Sequence, residues 1–167
     1  MKTLEQQMAF YAAYHRNPWN RATHFVGVPV IIFAILIPMA WLRVPFAGFE
    51  LTGALLFVAV VLFYYFALDV PLALAMTAFI VPLVYAADWV ARQSWTTGFT
   101  VFLAAFAGGW IIQLVGHGFE GRKPALTDNL FQIFVAPIFL AAEVAFALGL
   151  RRDTRRRVED LSHQHDA

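Results

Sequence analysis

The sequence predicts an all-α, polytopic integral membrane helix bundle, with four to five transmembrane helices and a short N-terminal amphipathic helix. Of its 167 residues, 60% are hydrophobic and only 14% are charged, whereas soluble domains carry about 25% charged residues. Five apolar runs approach the roughly 20 residues that a helix needs to cross a bilayer. The runs are continuously apolar, which distinguishes them from the alternating strands of a membrane barrel.

The N-terminal segment, residues 4–15, is predicted to form the short amphipathic helix, with an apolar stripe that ends at His15. Pro18 then interrupts this helix, because proline lacks a backbone donor. In one unbroken helix, His15 and His24 would point about 180° apart. A break at Pro18 lets both rings turn to a common centre, and Asn20 can share a face with His24 once the next helix begins.

The five apolar runs are joined by short connections. They are Val26–Leu42, Leu51–Leu68, Val70–Val90, Thr97–Gly116 and Leu130–Leu150. Pro137 and Glu143 lie inside the fifth run and suggest a bent or re-entrant element. A fifth full crossing would also place the following arginines outside, against the positive-inside tendency. We expect residues 1–150 to form a single membrane-embedded domain and residues 151–167 to form a basic, flexible cytoplasmic tail.

Composition excludes several classes of function. The chain has no cysteine, which removes disulfides, thiolate catalysis and iron–sulfur clusters. It has no glycine-rich phosphate loop and no nucleophile elbow. The arginines of the tail are interpreted as a membrane-flanking cluster and not as a nucleic-acid site, because the rest of the chain offers no basic surface. We expect a multi-pass protein of a bacterial inner membrane, in contact with the lipid bilayer.

Polar residues at the ends of the apolar runs predict a metal site. His15 and His24 precede the first run, and His117 closes the fourth. One helix face, at offsets 0, 3, 7 and 10, holds Trp110, Gln113, His117 and Glu120. Four crossings return the chain to the face where it began, so all three histidines and Glu120 can meet there. Imidazole and carboxylate ligands suit non-haem iron. The alternative is that each histidine caps a helix at the membrane interface.

Two motifs in this chain resemble those of a known family. The motifs read Tyr11-x-x-Tyr14-His15-x4-Asn20-x3-His24-x-x-Gly27-x-Pro29 and Gln113-Leu-Val-Gly-His117-Gly-Phe-Glu120, the latter followed by Lys123-Pro-Ala-Leu. Together they resemble the 2-hydroxy fatty acid dioxygenase family, over about residues 4–150.

The resemblance implies an Fe(II)-dependent α-oxidation, in which a 2-hydroxy fatty acid and O2 give the fatty acid one carbon shorter, CO2 and water. The domain of residues 1–150 would then be catalytic, with His15, His24 and His117 as essential metal ligands. Glu120 is added as a fourth ligand from its spacing. Residues expected to orient the ligands or contact substrate are Asn20, Gln113, Tyr14, Arg21 and Lys123.

Three questions stay open at the level of sequence. Two of the histidines could instead bind a b-type haem, or the chain could be a non-enzymatic membrane scaffold. Glu120 could form an ion pair with Arg122 or Lys123. Glu143, an acid within an apolar run, is either functional or paired with an arginine near the interface.

Overall fold

A computed structural model of the chain describes residues 3–121 and 131–164. Within these residues there are seven helices and one short β-hairpin. In chain order they are α1 (Leu4–Ala13), α2 (Pro18–Trp41), β1 (Arg43–Phe46), β2 (Phe49–Thr52), α3 (Gly53–Leu68), α4 (Val70–Ala91), α5 (Trp95–Glu120), α6 (Gln132–Ala147) and α7 (Arg152–Gln164). Three helices, α2, α4 and α5, are long and apolar enough to cross a membrane. The remaining apolar helices, α3 and α6, have 16 residues each, about 24 Å, which is shorter than the roughly 30 Å hydrocarbon core.

The break between α1 and α2 is where the sequence predicts it. Helix α1 ends at Ala13, two residues before the predicted end, so His15 lies in the linker. The side chain of Asn17 caps α2 by accepting a hydrogen bond from the Trp19 N–H at 2.9 Å. Pro18 occupies the first position of α2, where its missing N–H costs no hydrogen bond.

A β-hairpin forms the short connection after α2. Its turn uses Ala47 and Gly48, both with positive φ (47° and 88°), as two-residue hairpin turns require. Arg43 of β1 donates to Asp88 at 2.7 Å, and Arg92 donates to Glu50 of β2 at 2.6 Å. These ion pairs attach the hairpin to the end of α4, and this side of the molecule is called the hairpin end.

Helices α2 to α5 run alternately between the hairpin end and the opposite end, called the site end. Helix α6 does not carry the chain across to the hairpin end. It begins beside the last turns of α3, where the Tyr65 hydroxyl donates to the Phe134 carbonyl at 2.7 Å. After α6, Arg151 pairs with Asp69 at the α3–α4 junction. Helix α6 therefore starts and finishes at the site end, and the re-entrant element stays a prediction.

The segment after residue 151 differs from the expected flexible tail. It forms α7, which packs against α1. Thr154 and Val158, one turn apart, are buried, and Arg157 lies 3.6 Å from Glu5 of α1. The run of arginines in the sequence conceals this narrow buried stripe, and the cytoplasmic side of the segment stays a prediction. Both ends of the described chain consequently lie at the site end.

Small residues bring α2 and α5 into close contact. A Cβ added at Gly116 would collide with Thr23 Oγ1, and one added at Gly109 would lie 2.7 Å from Ile31 Cγ1. The same addition at Gly108 or Gly118 meets no atom within 4 Å. Gly109 and Gly116 are thus the two of these four positions where the contact with α2 requires the absence of a side chain.

Candidate metal centre

Three histidines from separate elements meet at the site end. His15 comes from the α1–α2 linker, His24 from the second turn of α2 and His117 from the last turn of α5. Each is 7% exposed or less, and one ring nitrogen from each lies within 4.8 Å of the others. The predicted convergence of the three rings is therefore present in the structure.

The hydrogen bonds of His15 and His24 fix which ring nitrogen carries the proton. His15 Nδ1 lies 2.7 Å from the Tyr11 carbonyl oxygen, and His24 Nδ1 lies 2.8 Å from that of Asn20. A carbonyl oxygen only accepts, so both Nδ1 atoms donate, and in the neutral form of each ring the Nε2 atom is unprotonated. The two Nε2 atoms are 3.1 Å apart.

Two facing lone pairs at that distance repel each other unless a cation lies beside them. Burial, followed by the nearby His24, lowers the pKa of His15 to about 3, so its ring is neutral at neutral pH. Nδ1 of His117 is buried and has no hydrogen-bond partner within the described part of the chain. This donor set fits a metal ion that prefers imidazole nitrogen.

Glu120 does not occupy the position expected of a fourth metal ligand. Its Oε1 accepts from the backbone N–H of Arg16 at 3.1 Å. Its Oε2 accepts from the backbone N–H of Asn17 at 2.8 Å and from Asn20 Nδ2 at 3.0 Å. The histidine cluster does not include this carboxylate, because its oxygens are occupied by the linker that holds His15.

Two of the residues expected to orient the ligands, Asn20 and Gln113, are buried. Asn20 is fully buried and joins Glu120 to His24, through its amide and its backbone carbonyl respectively. Its amide also lies 3.4 Å from the Tyr14 carbonyl. Gln113 is buried, and its Oε1 has no hydrogen-bond partner among the described residues.

Of the two cations expected to contact substrate, the structure describes one, Arg21. Arg21 forms an ion pair with Glu143, which is the arginine pairing considered for this acid. Lys123 and Arg122 lie outside the described residues, and with them the possible ion pair to Glu120.

Tyr11 is a residue whose position the sequence did not reveal. Its ring stacks on His15, with centroids 3.8 Å apart and planes 7° from parallel. Its hydroxyl is buried without a hydrogen-bond partner in the described chain, and burial raises the pKa of the phenol, which therefore stays protonated. The i, i+4 spacing of Tyr11 and His15 is the signal that could have indicated this stacking.

An apolar cavity of about 280 Å³ opens from the cluster into the bundle. The three histidines and Tyr11 line its polar end. Along α2 its wall is formed by Val28, Ile31, Ile32, Ile35, Leu36 and Met39. These positions share one helix face, and the distance from His24 to Met39 is about 22 Å at 1.5 Å per residue. The cavity thus extends along this face of α2, away from the histidines.

The comparisons with known proteins agree with this geometry. Residues 1–148 match a family model described as 2-hydroxy-palmitic acid dioxygenase Mpo1-like. The chain belongs to this Mpo1-like family. It is also 36% identical over 148 residues to the 2-hydroxy-palmitic acid dioxygenase MPO1 of Saccharomyces cerevisiae, which covers 87% of this chain and 82% of the relative. No solved structure matches the chain.

Membership of the Mpo1-like family confirms the resemblance that the two histidine motifs indicated. The front motif supplies His15 and His24, and the rear motif supplies His117. The structure adds that the two motifs, about 100 residues apart, form a single buried cluster.

Proposed function

We propose that this Mpo1-like protein is an iron(II)-dependent dioxygenase that shortens 2-hydroxy fatty acids by one carbon. One 2-hydroxy acid and one O2 give the shorter acid, CO2 and water, which balances without an external reductant. The named activity of the yeast relative supports the substrate class. The observation that supports a metal most directly is the pair of unprotonated Nε2 atoms, 3.1 Å apart and buried at the head of an apolar cavity.

His15, His24 and His117 would hold the iron, since imidazole nitrogen is among its preferred ligands. When bound, the metal supplies oxygen activation and a template for the carboxylate and hydroxyl of the substrate. Three protein ligands leave coordination positions for substrate and O2.

The remaining residues would orient the ligands and exclude water. The carbonyls of Tyr11 and Asn20 fix the tautomers of the two histidines, a role that raises ligand basicity in metal sites. Glu120 holds the linker that carries His15. The apolar wall of the cavity takes the acyl tail, and each buried methylene contributes about 0.8 kcal/mol of binding free energy.

The geometry favours this function over the two alternatives. Two axial haem ligands must lie on opposite faces of a flat macrocycle. The three imidazole rings have centroids only 4.4, 5.1 and 5.0 Å apart, which leaves no room for a macrocycle between any two of them. Histidines that merely cap helices at an interface keep their polar tips in water, whereas these three are buried. A Soret band in the purified protein would overturn the first of these arguments.

We also propose that the site end faces the cytoplasm of a bacterial inner membrane. Four exposed arginines of α7 lie at that end, and basic residues are retained on the cytoplasmic side. The chain has no cysteine, so single cysteines can report orientation. An impermeant maleimide applied to intact cells should label Phe46→Cys, in the hairpin, and not Arg156→Cys. The reverse pattern would place the site on the other face.

The decisive experiment is anaerobic iron(II) loading of detergent-purified protein, followed by O2 uptake with 2-hydroxypalmitate. We expect uptake matched by pentadecanoic acid, no uptake with palmitate, and loss of both iron and turnover in His117→Ala. If the wild-type protein binds no iron and consumes no O2, and His117→Ala behaves identically, the proposed function is wrong.

A further inference from the structure

Besides Nδ1 of His117, which belongs to the histidine cluster, three buried polar atoms line the cavity without a hydrogen-bond partner among the described residues. They are the Tyr11 hydroxyl, Gln113 Oε1 and Gln132 Oε1, contributed by α1, α5 and α6. Buried polar groups are nearly always paired in native structures, so each unpaired one requires an explanation. Three around one cavity indicate that a polar ligand completes them.

The cavity wall contains no arginine or lysine in the part of the chain that the structure describes. Arg21, the expected cation that the structure describes, is paired with Glu143. A carboxylate that enters the cavity therefore meets the metal ligands and neutral groups. Of the three unpaired atoms, only the Tyr11 hydroxyl is able to donate a hydrogen bond, because amide oxygens accept.

The ring of Tyr11 is held in place before any ligand arrives. One face stacks on His15 at 3.8 Å, and Phe139 packs against it with centroids 4.6 Å apart. A group fixed in this way loses little conformational entropy when it binds. Its hydroxyl is thus a pre-organised donor next to a proposed metal ligand.

We propose that the Tyr11 hydroxyl binds the carboxylate of the substrate by donating a hydrogen bond to it at the histidine cluster. This inference rests on the proposed function and adds a substrate-binding residue to it. Tyr11 makes the contact as a neutral donor, which suits a buried headgroup whose charge the metal already offsets.

Tyr11→Phe tests the proposal, with Tyr64→Phe as the matched control. Both replacements remove only a hydroxyl, but the Tyr64 hydroxyl donates to Gln7 Oε1 at 2.7 Å and lies outside the cavity wall. The binding of 2-hydroxypalmitate and of its methyl ester is measured by calorimetry on iron(II)-loaded protein without O2. Iron content and melting temperature are measured on the same samples.

In Tyr11→Phe we expect the Kd of 2-hydroxypalmitate to rise about 10- to 100-fold, as for loss of a hydrogen bond to a charged group. The Kd of the methyl ester should change far less. Iron content should stay unchanged, and the melting temperature should stay equal or rise, because an unpaired buried hydroxyl is removed. Tyr64→Phe should melt lower and bind the acid as the wild type does.

An unchanged Kd in Tyr11→Phe would overturn the inference, and so would loss of iron, since Tyr11 would then act through His15. Equal weakening for acid and ester would also overturn it. If wild-type protein binds and oxidises 2-hydroxypalmitate while Tyr11→Phe matches it, only this inference fails. If wild-type protein does neither, the proposed function fails with it.

Discussion

The main-chain carbonyls behind His15 and His24 define the chemistry of the site at the scale of single residues. Helix α1 ends at Ala13, and the last carbonyls of a helix have no partner within it. The carbonyl of Tyr11 lies in that last turn, where it accepts from the backbone N–H of Tyr14 at 3.1 Å and from His15 Nδ1. The break before Pro18 therefore both frees the linker and orients the ring that it carries.

Glu120 provides the sharpest test at this scale. In Glu120→Gln, one carboxylate oxygen becomes an NH2 group that cannot accept from the linker. We expect metal affinity to fall about 10- to 100-fold, as for other residues that orient ligands from behind. The visible spectrum of the cobalt(II)-loaded variant should keep the wild-type band positions, because the ligand set is unchanged.

The contrary outcome is equally specific. Shifted cobalt bands in Glu120→Gln would show that the carboxylate is a ligand, as its spacing first predicted. His24→Ala serves as the positive control, since it removes a proposed ligand and should change the bands.

At the scale of elements, the contact between α2 and α5 sets the distances between the histidines. Gly116→Ala should destabilise the protein, because the new methyl group would meet Thr23 Oγ1, with Asn20 Oδ1 2.7 Å away. Overpacking of this kind costs about 1–3 kcal/mol. Gly118→Ala, two residues further on, meets nothing within 4 Å, and alanine there should be neutral or stabilising by up to about 1 kcal/mol.

Thermal unfolding in detergent measures both glycine variants. Metal affinity should fall in Gly116→Ala as well, because His117 is the next residue. Equal melting temperatures in the two variants would show that α2 and α5 are less tightly packed than the structure indicates.

The elements also show how far the sequence could predict this fold. Apolar runs located the five long helices but placed the start of the first at Val26, eight residues after α2 begins at Pro18. The omitted turns hold Asn20 and His24. Apolarity reports burial in lipid or core, and it does not detect a polar first turn whose Asn20 and His24 are buried.

The proposed ligands of the candidate site could be predicted from the sequence. The residues that position these ligands could be predicted only in part. Two features of the sequence indicate the three histidines. The proline break lets His15 and His24 turn to a common centre, and His117 lies on a polar helix face. The position of Glu120 could not be predicted, because its partners are backbone N–H groups of Arg16 and Asn17, which every residue but proline carries. The unpaired hydroxyl of Tyr11 depends on packing between α1 and α6, which no local pattern specifies.

At the scale of the whole molecule, the length of the cavity can be compared with the thickness of the membrane and with the length of the proposed substrate. The cavity runs about 22 Å along α2, more than half the thickness of the roughly 30 Å hydrocarbon core. A single acyl tail of a leaflet spans about half of that core. The dimensions suit one extended fatty acyl chain whose headgroup lies at the histidines.

The same substitution at two neighbouring valines of α3 tests whether the acyl tail lies in the cavity. Val61 lines the cavity, whereas Val60 is 69% exposed on the outer face. In Val61→Trp, the indole fills part of the channel, so long acyl tails lose buried contacts while short ones still fit. Each methylene displaced should cost about 0.8 kcal/mol, or roughly fourfold in kcat/KM. Turnover measured across a series of 2-hydroxy acids should therefore shift to shorter chains in Val61→Trp and keep the wild-type profile in Val60→Trp. The same profile in both variants would mean that the acyl tail lies elsewhere, and the cavity would then have no part in selecting the substrate.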